Sequence, residues 1–192
     1  STLFPYTTLF RSSHTTLPGG GTTDFAVEIF YAALKHGAYT CFVRPETRLP
    51  MMYMPDAIRA ILNLMQADPA SITIRSSYNI AAVSFSAEEL VAEIQKHLPN
   101  FTCRYAPDFR QAIADSWPSI IDDSPAQKDW GWRHTYDLPY IVKDMLQNLS
   151  QQIVGERGST ESRGSKEGKG SRGSRGSRGG MNVDRKSTRL NS

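Results

Sequence analysis

The segment LPGGGTTDFAVEIFYAALKHG, Leu17 to Gly37, contains two features whose spacing could do chemistry. Tyr31 and Lys35 stand one helical turn apart, where a lysine can lower the pKa of a tyrosine acting as general acid/base. Just before them, Gly19, Gly20 and Gly21 could expose backbone N–H groups to a phosphate. What surrounds each feature argues against both readings. A dinucleotide loop spaces its glycines as G-x-G-x-x-G between a strand and a helix, with an acidic residue at the end of the next strand. Here the glycines are contiguous, follow Pro18 and have no strand before them. The tyrosine chemistry also needs a hydroxyl that polarises the reacting oxygen and a cofactor site upstream, and no such set precedes Tyr31. Tyr31 therefore reads as a helix-packing residue and Lys35 as its surface neighbour.

The remaining reactive side chains form no cluster. His14, His36, His97 and His134 fall in loops or near termini and suggest nothing catalytic. No pair of Cys or His has metal-ligand spacing, so no metal site is expected. Cys41 and Cys103 lie in strand-like runs and make no disulfide framework, which fits free thiols in a reducing compartment. No apolar run is long enough to cross a bilayer. The expectation is a soluble protein of the cytoplasm or the mitochondrial matrix.

Composition divides the chain into four parts. Residues 1–12, containing TLFPYTTLFRS, and residues 184–192, DRKSTRLNS, resemble in-frame translations of sequencing-library adapters and are set aside as non-native. Residues 155–183 repeat Ser-Arg-Gly with almost no apolar side chains, and such a stretch cannot bury enough surface to offset chain entropy. It reads as a disordered tail. The whole chain carries a net charge of +3, yet residues 13–154 hold 11 basic and 15 acidic side chains. The basic balance belongs to the ends, so a nucleic-acid role for the folded part loses its support, and only weak polyanion binding by the tail stays open.

Between Thr22 and Leu149, helix and strand signals alternate, which implies an α/β arrangement. A buried helix begins at Thr23 or Asp24 and stops at Gly37. YTCFV and LPMMYM read as strands, and Asp56 as the cap of the helix AIRAILNLMQA. Strand character returns in ITIRSSYNIAAVSF. Ser86-Ala87-Glu88-Glu89 is a capping box opening a helix through Leu98. FTCRYAP is a strand and DFRQAIADSW a helix stopped by Pro118. One of Asp122 and Asp123 caps a short helix from Ser124, which Trp130 and Trp132 pack onto the core. The last helix sets Leu138, Ile141, Val142, Met145, Leu146 and Leu149 on one face.

Five motifs in order, PGGGTTD, TRLPMMYMPDAIRA, SSYNIAAVSFSAEEL, DFRQAIADSWP and DDSPAQKDWGW, resemble the C-terminal half of the short-chain-type, NAD-dependent L-threonine 3-dehydrogenases. These are extended short-chain dehydrogenases close in architecture to nucleotide-sugar epimerases, and the resemblance runs from about Pro18 to Leu149. It implies that residues 13–154 are the substrate side of an incomplete Rossmann-type α/β protein. The intact protein would be a homodimer that oxidises L-threonine to 2-amino-3-oxobutyrate with NAD. It also implies that the glycine fingerprint, the catalytic Ser or Thr and the true Tyr-x-x-x-Lys lie upstream of PGGGTTD, so this chain should hold no catalytic or NAD-binding residue, should be inactive alone and should leave apolar faces such as that of the Leu138–Leu149 helix partly exposed.

The same resemblance assigns candidate substrate residues. Gly20, Gly21, Thr22 and Thr23 form a loop ending at a helix N-terminus, where free N–H groups favour a carboxylate. In the family this loop faces the bound amino acid; helix capping is the competing role of the threonines. The arginine matching Arg48 grips nucleotide phosphate in the epimerases. Here it would reach the substrate or form a structural salt bridge. Trp117 resembles a tryptophan that walls the pocket, with core packing as the rival role. Two further readings stay open: a fragment of a nucleotide-sugar epimerase or dehydratase, and a non-catalytic module whose basic tail binds polyanions.

Overall fold

A computed structural model of the chain describes residues 19–164, with side chains through Gly155. The adapter-like ends 1–12 and 184–192, His14, and residues 165–183 of the Ser-Arg-Gly stretch lie outside the described residues. The chain divides into two compact units, Ser1–Gly155 and Glu156–Ser192.

The first unit alternates helices and strands as the patterning requires. The elements of the described residues are α1 (Phe25–His36), β1 (Ala38–Cys41), β2 (Arg48–Met51), α2 (Met54–Gln66), β3 (Val83–Ser86), α3 (Ala87–His97), β4 (Thr102–Tyr105), α4 (Arg110–Asp115), α5 (Ser124–Trp130) and α6 (Leu138–Gly164). β1 and β4 pair in parallel, with Ala38 opposite Thr102 and Cys41 opposite Tyr105. β2 and β3 pair antiparallel, with Arg48 opposite Ser86 and Met51 opposite Val83. Gly37 ends α1 at φ 66°, its N–H donating to Ala33 O at 3.1 Å, and so turns the chain back into β1. α1 therefore runs antiparallel to β1, with its N-terminus beside the carboxyl end of that strand.

The main core joins α1, β1, β2, α3 and α6, with Phe25, Phe30, Leu49, Ile94, Met145 and Leu149 among its most buried side chains. Each such side chain contributes about 1.5–3 kcal/mol when withdrawn from water. Successive residues of a strand point to opposite faces. Accordingly Met51 enters this core while Met52 enters a second cluster with Ala57, Ala60, Ala126 and Trp132. Trp132 anchors that cluster by donating its indole N–H to Ala81 O at 2.9 Å.

Four expectations need correction. First, α2 begins at Met54, with Pro55 in its first turn, so Asp56 lies inside the helix rather than capping it. Proline at this position removes only an N–H that has no helical partner. Second, only Val83–Ser86 of the long strand-like run is paired. Third, α6 continues past Gly155, where the tail was expected to begin, to Gly164, because extending a formed helix adds a hydrogen bond for each residue fixed. Fourth, the expectation of an exposed apolar face applies to α2 and not to α6. Ile141, Val142, Met145, Leu146 and Leu149 are buried, whereas Ile58, Ile61 and Met65 are 53%, 60% and 76% exposed.

Candidate functional site

The parallel pair defines where a site can form, because open α/β sheets bind ligands outside the carboxyl ends of their strands. Here the ladder runs on past β1 and β4, with Ala106 N donating to Cys41 O at 2.8 Å and Asp108 N to Phe42 O at 3.2 Å. Phe25, at the start of α1, meets Phe42 edge to face with ring centroids 6.2 Å apart. This contact brings the Gly19–Thr23 loop to the same end. The start of α3 arrives there as well, since Glu88 N donates to Pro45 O at 3.0 Å.

In the glycine loop, Asp24 Oδ2 accepts from Gly19 N at 2.6 Å and Gly21 N at 2.9 Å. The amides that sequence reasoning offered to a ligand anion are therefore turned onto the chain's own carboxylate. Thr22 and Thr23 are buried, and neither hydroxyl forms a hydrogen bond with a side chain or backbone group among the described residues. The helix-capping bond that was their alternative role is not formed: Asp24 occupies the N-cap position, and its side chain caps nothing either.

Arg48 is engaged on two sides. Its guanidinium pairs with the Glu89 carboxylate, and Nη1 donates to Ser84 O at 2.6 Å. Glu89 is also the reciprocal partner of Ser86 in the capping box of α3. Ser86 N–H and then Arg48 hold the Glu89 carboxyl below the usual carboxylate range. Trp117 is half-buried against the main core. Ser84 Oγ donates to Ser119 O at 2.5 Å, so a single residue of β3 ties Arg48 to the segment that follows Trp117. The structure thus places Gly20, Gly21, Thr22, Thr23, Arg48 and Trp117 at one end of the fold. No hydrogen bond joins the glycine loop to Arg48 or Trp117 among the described residues.

Sequence reasoning missed the side chains that brace this end. Gln111 accepts from Arg44 N at 2.7 Å and donates to Thr47 Oγ1 at 3.0 Å, fixing the loop between β1 and β2. Asp24 was legible only as a potential cap, because its carboxylate reaches back to Gly19 and Gly21 rather than forward into the helix. Asp123 reaches Ala81 N at 3.2 Å as well as Gln127 in its own helix, a pairing that nothing in the local sequence announces.

The Tyr31–Lys35 spacing resolves into packing. Lys35 Nζ sits over the Tyr31 ring, 5.6 Å from its centroid. Cys41 and Cys103 are free thiols, as expected. A hollow bounded by Ala33, Gly37, His97, Pro99 and Phe101 lies at the opposite end of α1, one twelve-residue helix or about 18 Å away, and belongs to a different surface. Among the described residues, no group of His, Cys, Asp and Glu could hold a metal ion, and no helix is long and apolar enough to cross a membrane. Nor does the glycine loop fit NAD, because its Gly19 and Gly21 amides face the Asp24 carboxylate, which would repel a pyrophosphate.

No family model matches the chain. The chain is 55% identical over 130 residues to the mitochondrial L-threonine 3-dehydrogenase of Bos taurus, covering 67% of this chain and 35% of that protein. An uncharacterized epimerase/dehydratase of Staphylococcus haemolyticus is 48% identical over 141 residues, 73% of this chain and 44% of its own length. The crystal structure of L-threonine dehydrogenase from Phytophthora infestans superposes with a TM-score of 0.71 at 57% identity, covering 73% of this chain and 45% of that one. The fold and these relatives define an extended short-chain dehydrogenase architecture of the epimerase/dehydratase type. Within that class, the relatives that the chain resembles at 55–57% identity are L-threonine 3-dehydrogenases. It spans about a third to a half of the length of the relatives it matches.

Proposed function

We propose that this chain is the substrate side of an NAD-dependent L-threonine 3-dehydrogenase. In the reaction, the β-carbon of L-threonine gives a hydride to NAD and its hydroxyl gives up a proton, leaving 2-amino-3-oxobutyrate. The observation that carries this reading is the 55–57% identity to threonine dehydrogenases over most of the folded unit. The site supports it in two ways. Thr22 and Thr23 supply hydroxyls from buried positions next to the exposed glycines, suited to the polar groups of a small amino acid. Arg48, which a nucleotide sugar would need for its phosphates, is held by Glu89 and Ser84 O. NAD and the general base belong to the part of the architecture that these residues do not represent. The free thiols of Cys41 and Cys103 fit the mitochondrial matrix or the cytoplasm.

The test is a full-length graft in which residues 19–149 replace the homologous stretch of the cattle enzyme. NADH formation that depends on L-threonine, with no turnover of nucleotide sugars, is the expected result. Turnover of a nucleotide sugar without threonine oxidation would overturn the proposal in favour of an epimerase or dehydratase.

A further inference from the structure

The turn before α1 is built around one carboxylate. Asp24 is 2% exposed, and its Oδ2 accepts two backbone N–H groups, from Gly19 at 2.6 Å and Gly21 at 2.9 Å. Its own N–H donates to Gly21 O at 3.1 Å. Bonds of this kind to an ionised oxygen are roughly twice as strong as neutral ones. An aspartate at an N-cap ordinarily turns its carboxylate forward onto the second or third helical N–H. Asp24 instead adopts αR backbone angles, φ −68° and ψ −18°, and makes no side-chain cap bond. Its carboxylate points back along the chain. Between the two anchored amides, Gly20 holds φ 89°, a conformation that only glycine adopts at no cost. Thr22 and Thr23 lie between Gly21 and Asp24, so Asp24 fixes both ends of the two-residue segment that carries the hydroxyls.

We propose that Asp24 is a positioning residue of the substrate loop. Its carboxylate fixes the direction in which Thr22 and Thr23 present their hydroxyls, and through them it sets affinity for the hydroxy amino acid without touching that molecule. What the hydroxyls bind rests on the threonine dehydrogenase reading; the anchoring of the loop does not. Because Asp24 engages the Gly19 and Gly21 amides, the substrate carboxylate meets threonine side chains here rather than those glycine N–H groups.

Two measurements separate the anchor from the reading it rests on. In the 192-residue chain, amide exchange at Gly19 and Gly21 followed by nuclear magnetic resonance should quicken about tenfold or more in Asp24→Ala, with α3 and α6 amides unchanged. Asp24→Asn, whose carbonyl still accepts but without charge, should quicken exchange about threefold. It also serves as the readout if the alanine variant does not fold. Exchange as slow as in the unmutated chain in either variant overturns the anchor. In the full-length graft, Asp24→Asn should raise the KM for L-threonine about fivefold, leaving kcat and the KM for NAD within about twofold. Combined with Thr23→Val its effect should be less than additive, since part of it acts through the Thr23 hydroxyl. Faster amide exchange with an unchanged threonine KM, or a fall in kcat that tracks lost thermal stability, overturns the positioning role. A graft with no threonine turnover before any substitution overturns the dehydrogenase reading itself, and the amide measurement then still decides the anchor.

Discussion

Both oxygens of the Asp56 carboxylate accept from Thr135 N, at 3.1 and 3.0 Å, across 79 residues of sequence. The same carboxylate accepts from Tyr136 N at 3.1 Å and pairs with Arg59 at 2.6 Å, and the Asp56 side chain is fully buried. It therefore clamps the first turn of α2 to the segment that leads into α6. Asp56→Ala leaves two backbone N–H groups without their acceptor and, among the described residues, leaves Arg59 only its bond to Arg133 O and its place over the Trp132 ring. The expected loss is about 2–4 kcal/mol in urea unfolding. Arg59→Ala should cost about 1 kcal/mol, because that side chain is partly exposed and its removal leaves the N–H bonds to Asp56 in place. Equal losses for the two variants would show that the ion pair, not the backbone clamp, is what matters.

The Arg48–Glu89 pair makes a prediction in pH. Ser86 N–H and Arg48 lower the folded-state pKa of Glu89. The stability this contributes is present above the ordinary glutamate value, about 4.3, and is lost as pH falls through the lower folded value. Glu89→Gln keeps the capping-box geometry but has no charge to titrate. Urea midpoints measured from about pH 7 down to about pH 3 should fall less steeply in the variant than in the parent chain. An identical acid limb in both would remove Glu89 from the account.

Local chemistry made much of this fold legible. Gly37 ended α1 and Ser86–Glu89 opened α3 as their sequence signals require, because caps and left-handed turns act within a few residues. The apolar period of α6 correctly marked the face that became core. What escaped was non-local. Asp56 carries a good capping side chain, and only the approach of Thr135 and Tyr136 draws it inward. In the same way, the glycine loop reads as an anion cradle until the direction of the Asp24 side chain is known. Which face of α2 stays uncovered depends on packing partners that its own period cannot reveal.

Cys41 sits at the end of β1 with no exposed surface, and burial pushes its thiol up to about 11. Cys103, half-buried on the neighbouring strand, is raised as well. Thiolate is the reactive form, so a disulfide reagent at about pH 8 should label the folded chain slowly, Cys103 before Cys41. Both should react at once in urea. Rapid labelling of Cys41 in the folded chain would mean that β1 opens far more readily than its burial suggests.

Thr23 offers a direct test of the substrate loop in the full-length graft. Thr23→Val removes a hydroxyl while keeping the shape, so a hydrogen bond to substrate should be worth about 0.5–1.5 kcal/mol in threonine binding. That corresponds to a rise in KM of about two- to tenfold, with the KM for NAD unchanged. An unchanged threonine KM would assign Thr23 to packing, consistent with its 7% exposure.

The last prediction concerns the chain on its own. Hydride transfer needs a cofactor beside the substrate, a general base and reacting atoms held to a fraction of an ångström. Under the proposed function the described residues supply one wall of a substrate pocket, and their glycine loop is closed to a pyrophosphate by Asp24. Tyr31 and Lys35 do not supply the missing pair, because the ammonium rests over the tyrosine ring, 5.6 Å from its centroid, on a helix packed into the core. The exposed Ile58, Ile61, Leu62 and Met65 follow the i, i+3, i+4, i+7 rows of α2 and form a continuous apolar stripe. The purified chain should therefore self-associate as its concentration rises, an effect reversed by Ile61→Lys with Met65→Lys and read by light scattering. Calorimetry should show no NAD binding, and L-threonine with NAD should give no NADH above background. NADH formation that disappears on Tyr31→Phe would overturn the assignment of this pair to packing, and with it the placement of the catalytic groups outside the described residues.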